Sequence, residues 1–336
     1  MKYYLPYTDA VVDEDSSLLS SSTFTVPLGI PRSHGSNSSL HNNVQFAWDS
    51  TSLALYKTCP RKYQFTLLQG YVARVVPPAL AFGIHLHTCF QVWHKLIASG
   101  VEKDTSLLRL VRLAGLLGET LPPGDTARTK ETLVRSVVWY LEQFWEDKAK
   151  TVILSDGSPA VEYSFTLPFF QHKGQQVYLC GHIDRLVTWQ GKVYVADYKT
   201  TKYTLDRKFF TKFKPSTQMA LYTAACHIIA AETHDMPSAD GVIIDGIQLG
   251  VNFSRYARNV VEFSLEEVEE YLDELRTWIT NAMDAAEAGT FPANQEACGN
   301  YGGCMFQEIC SKPAARRKAY LDGHFGKQTW DPLSSR

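Results

Sequence analysis

The sequence lacks an excess of charge of either sign: 33 lysines and arginines face 35 aspartates and glutamates, for a formal net charge of -2. No whole-molecule positive field exists to hold nucleic acid, so any affinity for phosphates must come from local patches. Long apolar runs are also missing. None approaches the roughly 18 residues needed to cross a bilayer, and the opening MKYYLPYTDAVVDEDSS carries acids where a secretory signal would be apolar. A cytoplasmic protein of a prokaryotic cell or an infected host, with no membrane contact, is the expectation. Seven cysteines are odd in number and too sparse in 336 residues for a disulfide scaffold. There is no internal repeat, no heptad array and no GxxxxGK[ST] phosphate loop, which excludes a helicase motor within this chain. What remains, at 45% hydrophobic residues, is the composition of a globular protein with a sizeable core.

Residues 1–45 are rich in Ser, Asn and Gly without sustained periodicity, and read as a flexible arm. A globular body follows over 46–315, with a helical insertion at about 100–150, a cysteine-bearing segment at about 290–315 and a tail over 316–336. Within the body, DSTSLALYKTCPRKYQF predicts a short helix interrupted at Cys-Pro. Phe82, Leu86, Phe90, Trp93 and Ile97 recur at helical steps, and a further helix is expected over 130–148. Strands are expected at 160–167, 176–189 and 192–199, the last two joined at Gln190-Gly191. An amphipathic helix over 216–231, a buried strand GVIIDGIQLG and a helix capped by Ser264 and Glu267 complete a mixed α/β order.

The hairpin is the most informative segment. In GHIDRLVTWQGKVYVADYKTTK, Asp197 and Lys199 are two apart and share one face of their strand, and Asp184 can stand beside them on the neighbouring strand. Two carboxylates and an ammonium group converging on one point suit a hard divalent cation, with the backbone carbonyl of Tyr198 also able to face it. Such a site suits phosphodiester hydrolysis. Glu162, inside VEYSF, offers a third carboxylate either to the metal or to its surroundings; Asp245 reads as a strand-end residue and Glu131 as a helix-dipole partner. After Lys199, Lys202, Arg207, Lys208 and Lys212 alternate with Tyr203, Phe209, Phe210 and Phe213, which offers cations to phosphates and aromatic faces to bases. Near the C-terminus, Cys298, Cys304 and Cys310 stand at equal six-residue steps, matching neither a zinc ribbon nor a disulfide pattern. Cys89, Cys180 and Cys226 lie in apolar contexts and read as buried hydrophobes.

Taken in order, LALYKTCPRKYQF, FGIHLH, GHIDR, VADYKTTK, QMALY and the three terminal cysteines resemble the PD-(D/E)XK nuclease superfamily, in its RecB-like iron–sulfur branch, which includes the CRISPR-associated exonucleases and the AddAB nuclease modules. The resemblance covers roughly residues 48–313. It implies a restriction-endonuclease-like core, a mixed sheet flanked by helices, with a helical N-terminal part and a C-terminal cluster segment. It implies that His87, Asp184 and Asp197 bind Mg or Mn, that Lys199 is the catalytic lysine, and that Gln218 and Tyr222 are the QxxxY pair that contacts the strand. It further implies Cys59 as fourth ligand with Cys298, Cys304 and Cys310 around a 4Fe-4S cluster, with zinc the alternative because the first cysteine gap is longer than is common in relatives. The activity implied is DNA exonuclease action, with single strands preferred and a helicase, integrase or recombinase as partner. A structure-specific or flap endonuclease on the same site, or a non-catalytic DNA-binding subunit, are the other readings.

Overall fold

The computed structural model describes residues 2–4, 11–13, 23–25, 40–41 and 43–333. The arm expected over 1–45 lies largely outside the described residues. At the centre is an eight-stranded mixed sheet built from β1 (Thr23–Thr25), β2 (Ala47–Trp48), β3 (Lys150–Thr151), β4 (Val161–His172), β5 (Gln175–Trp189), β6 (Lys192–Thr201), β7 (Gly241–Leu249) and β8 (Ser254–Glu262). Its order is β8-β7-β6-β5-β4-β1, with β2 and β3 pairing on β5. The β4–β5, β5–β6 and β7–β8 pairs are antiparallel, whereas β6 and β7 run parallel.

Both tight hairpins have their turn residues in the left-handed region: Gln190 and Gly191 at φ 52° and 79°, Lys173 and Gly174 at φ 48° and 80°. That is the geometry of a two-residue turn matched to strand twist. The second of these turns lengthens β4 and β5 beyond the expected strands. Every residue of β7 is buried, as befits a strand covered on both faces by the helices of a parallel crossover.

The helices are α1 (Ser50–Thr58), α2 (Pro60–Tyr63), α3 (Pro78–Ala98), α4 (Lys103–Glu119), α5 (Lys130–Gln143), α6 (Arg207–Thr211), α7 (Thr217–Glu232), α8 (Leu265–Glu287), α9 (Gln307–Cys310) and α10 (Ala314–His324). Asp49 caps α1, and Ser264 with Glu267 closes the expected capping box on α8. Alternation in β6 divides the core. Val195 faces a cluster with Leu221, Ala225, Leu275 and Ile279 of α7 and α8. Tyr198 faces the opposite cluster with Leu86, Phe90, Leu113 and Val137 of α3, α4 and α5, so the expected insertion is a helical layer over one sheet face. The tail is also packed: α10 buries Leu321, and Gly326–Lys327 pairs with Tyr71–Val72. Among the described residues, no helix is long and apolar enough to cross a membrane.

Candidate active site

The site forms where β5 parts from β6. The β4–β5 ladder ends at Ile183↔Tyr163 and the β5–β6 ladder begins at Arg185↔Ala196. Asp184 falls at this junction, flanked by Glu162 on β4 and Asp197 on β6. Glu162 has φ 52°, a conformation that costs a non-glycine residue roughly 1 kcal/mol or more and therefore has to be held by its surroundings. One ligand atom each from His87, Glu162 and Asp184 lies within 4.8 Å of the other two; among the described residues, no other group of three or more His, Cys, Asp or Glu does this. Glu162 thus stands with His87 and Asp184 in the group whose geometry could hold a metal, a place that the sequence left open, whereas Asp197, expected as a ligand, is not among the three.

His87 reaches the junction from α3. Its Nδ1 is 3.1 Å from Asp184 Oδ2 and its Nε2 is 2.9 Å from the backbone oxygen of Tyr198, so both ring nitrogens face acceptors. Lys199 Nζ lies 2.9 Å and 2.8 Å from the two oxygens of Asp197, which is 1% exposed, and donates to Gln218 Oε1 at 2.9 Å. Gln218 Nε2 in turn donates to the Tyr222 hydroxyl at 3.1 Å. The spacing of four on α7 puts amide and phenol on one face, and Gly181 permits the approach: a Cβ there would fall 2.9 Å from Phe165 and 3.2 Å from the Tyr222 ring. His85, on the same helix as His87, instead turns to the Thr120 hydroxyl, 2.9 Å away.

The electrostatics follow from crowding carboxylates in a buried place. Burial opposes protonation of His87, but the Asp184 carboxylate, with Asp197 behind it, outweighs burial and pushes the imidazole up to about 9. Burial likewise pushes the Asp197 carboxyl above the usual range; Lys199 pulls it down and Asp184 pushes it up again. Lys95, buried on α3, is lowered to about 8 by burial against the attraction of Glu162. Like charges held this close call for a compensating cation. One imidazole nitrogen and carboxylate oxygens form the hard donor set that suits Mg or Mn, and His87, Glu162 and Asp184 could hold such an ion, with Asp197 paired to Lys199 beside them.

A buried polar network supports the opposite sheet face. Arg185 holds the Ala149 carbonyl at 2.6 Å and Thr151 Oγ1 at 2.9 Å, and its Nη1 is 3.3 Å from His94 Nε2. His94 Nε2 is also 2.7 Å from the Tyr198 hydroxyl. Asp245 is buried within β7 and is no strand-end residue: Arg258 donates to both its oxygens, Tyr140 to one of them, and the same guanidinium binds Asp147 at two points. Sequence reasoning missed this network, whose one visible trace is the arginine next to Asp184.

The basic segment after β6 departs from expectation. Phe209 and Phe213 are buried in the core and Phe210 packs against it, so these rings anchor the segment and offer no faces to bases. Apolar anchoring wins because Gly246 on β7 leaves room for Leu205, Phe209 and Phe210. Lys212 lies 4.0 Å from the Phe209 ring centroid, and burial followed by the charge of Lys199 lowers its pKa. Lys202, Arg207 and Lys208 are exposed, as is Tyr203 at 71%.

The four candidate cluster ligands meet at one small cavity of about 20 Å³, lined by Cys59, Cys298, Cys304 and Cys310 with Lys62 and Phe306 among its neighbours. Cys59 sits at the α1–α2 junction, where Asn294 N–H points to its sulfur at 3.4 Å. Burial pushes the Cys310 thiol up against the pull of Arg61. Cys89, Cys180 and Cys226 are fully buried.

A mixed sheet flanked by helices, with carboxylates and a lysine at the parting of two strands, defines a restriction-endonuclease-like nuclease fold. The model of the PD-(D/E)XK nuclease superfamily matches residues 48–311, and the chain belongs to that superfamily, whose members are metal-dependent nucleases. Among solved structures, one described as "Crystal structure of SSO0001" is similar at 13% identity with a TM-score of 0.32, over 79% of this chain and 86% of that one. No curated protein sequence matches the chain significantly.

Proposed function

We propose that the protein is a Mg- or Mn-dependent deoxyribonuclease that digests DNA from an end, with single strands as its better substrate. The observation that carries this reading is the convergence of Glu162, Asp184, Asp197 and His87 with Lys199 at the β5–β6 junction. A divalent ion bound by these residues supplies a Lewis acid for the scissile phosphate and lowers the pKa of water. Lys199, fixed between Asp197 and Gln218, offers its ammonium group to the attacking water and to the charge that develops on the phosphate. Gln218 and Tyr222 hold the strand against the lysine, and Lys202, Arg207, Lys208 and Lys212 supply phosphate contacts through charge alone.

We further infer that Cys59, Cys298, Cys304 and Cys310 hold a 4Fe-4S cluster. Their meeting at one cavity supports a shared thiolate-bound group, of which a 4Fe-4S cluster is the reading that follows from the resemblance.

The test is digestion of end-labelled linear single-stranded DNA with Mg²⁺ or Mn²⁺ by anaerobically purified protein, beside Lys199→Ala and Asp197→Ala. Loss of activity in both variants, with a circular single strand left intact, is the expected result. Cleavage of the circle would replace exonuclease by endonuclease action; an inert parent that still binds DNA would remove the catalytic reading.

A further inference from the structure

Besides the carboxylate centre, a cavity of about 510 Å³ opens where the start of α1, the start of α7 and the cysteine segment meet. Ser50, Thr51, Lys62, Thr217, Gln218 and Asn300 are among the residues that line it, and among the described residues the lining contains no carboxylate. Its volume falls within the range of about 300–1,000 Å³ typical of ligand sites. Hydroxyls, amides and one ammonium group can all donate hydrogen bonds to phosphate oxygens, and no carboxylate repels them. These donors fit the sugar–phosphate chain, whose contacts position a strand without carrying sequence information.

The cavity also has a direction. Gln218 lines it and, through the same side chain, accepts the Lys199 ammonium at 2.9 Å. One wall therefore ends at the catalytic lysine. The far wall, from Ala297 to Cys304, belongs to the cysteine segment. Lys57 donates to the hydroxyl of Thr217, one of the lining residues, at 3.1 Å.

Resting on the nuclease reading above, we propose that this cavity is the path of the substrate strand away from the catalytic carboxylates, a sequence-neutral phosphodiester subsite formed by Ser50, Thr51, Lys62, Thr217 and Asn300. The scissile phosphate lies at Lys199, and the adjoining nucleotides pass Gln218 between α1 and the cysteine segment. One cationic contact is involved, so the subsite contributes little to the salt dependence of binding, and most of its discrimination is against negative charge placed in its wall.

The experiment measures binding of fluorescein-labelled oligothymidylate by anisotropy without divalent metal, as a function of salt, together with kcat and KM for hydrolysis of the same strand. The variants are Thr51→Glu, Thr51→Gln and Lys62→Gln. An acidic residue in the first turn of α1 suits the helix dipole, so Thr51→Glu keeps the fold. We expect Thr51→Glu to weaken binding at least about tenfold through like-charge repulsion and to act on KM far more than on kcat, while Thr51→Gln binds within a few-fold of the parent. Lys62→Gln should reduce the slope of log K against log salt by about 0.7. If the parent cleaves the strand and all three variants bind and cleave as it does, with the same salt slope, the subsite is overturned and the nuclease reading stands. If the parent neither binds nor cleaves, the nuclease reading and the subsite fall together. If the parent binds but is inert and Thr51→Glu still weakens binding, the subsite stands as a strand-binding groove and only the catalytic reading is lost.

Discussion

At the scale of single residues, Glu162 is the most instructive. It is held at φ 52° on the strand beside Asp184 and shares a ligating group with Asp184 and His87. If it helps to hold the metal, Glu162→Gln should weaken Mn²⁺ binding about 10- to 100-fold, in the range of metal-site support residues, as read by calorimetric titration, with the circular dichroism spectrum unchanged. Lys199→Met should behave oppositely, retaining Mn²⁺ binding while hydrolysis falls by about 10²- to 10³-fold. Equal losses of metal affinity in both variants would merge roles that the geometry separates. Asp184, Asp197 and Lys199 were legible in the sequence because a two-residue turn and a period of two fix their neighbourhood without further knowledge. Glu162 was only half legible, since its place depends on the β4–β5 register and on a left-handed backbone that no pattern announces. Phe209 and Phe210 were misread for a related reason: an aromatic ring in a basic run can face a base or a core, and only the room left at Gly246 decides which.

At the scale of elements, α3 carries two histidine behaviours along one helix. Burial lowers His85 to about 4, and burial with the charge of Arg185 holds His94 well below its usual range, so both stay neutral in the native protein. An unfolded chain takes up protons on these histidines near pH 6.5, which favours unfolding as the pH falls below that value. The stability they confer is complete above about pH 7 and is lost on the way down to about pH 4. For His85 the loss between pH 7 and 5 comes to about 2 kcal/mol. His87, raised to about 9, has the opposite sign: its contribution is complete below about pH 6.5 and is lost as the pH rises to 9. Urea midpoints of metal-free parent and His85→Gln at pH 7 and pH 5 isolate the first effect; a parallel drop in both proteins would assign it elsewhere. The edge strand β8 presents a second case. Arg258 ties it to Asp245 of β7 and to Asp147, and Arg258→Met, by stranding a buried carboxylate, should cost about 3–5 kcal/mol in the same denaturation measurement. This strand escaped sequence reading because SRYARNVVE has no apolar alternation, and polar, charged residues are what an exposed sheet edge requires.

At the scale of the whole molecule, the sheet and the cysteine segment are joined at two places remote in sequence. Cys59 follows α1, whereas Cys298, Cys304 and Cys310 come more than 230 residues later, after the entire sheet. A group bound by all four would close that span, and the closure entropy of a chain this long is on the order of 5–6 kcal/mol by analogy with a single cross-link. The order of the motifs made this juxtaposition readable from sequence, but the cavity between α1, α7 and the cysteine wall was not, because it is made of hydroxyls and small residues that carry no signal. The two centres proposed above, one at the carboxylates and one at the cysteines, predict separable losses. Removing Mg²⁺ or Mn²⁺ with EDTA should abolish hydrolysis reversibly while leaving a brown colour and the thermal midpoint of the cluster-bearing protein nearly intact. Cys59→Ser should lose the colour and lower the thermal midpoint by about 8 °C, since about 1 kcal/mol shifts a chain of this size by about 1.4 °C. Its Mn²⁺ affinity at the carboxylates should stay near that of the parent, because His87, Glu162 and Asp184 are held by α3 and the sheet alone. A colourless parent whose stability is indifferent to Cys59→Ser would reduce the four cysteines to ordinary side chains around a small cavity; a parent carrying one zinc would keep the staple and change its chemistry.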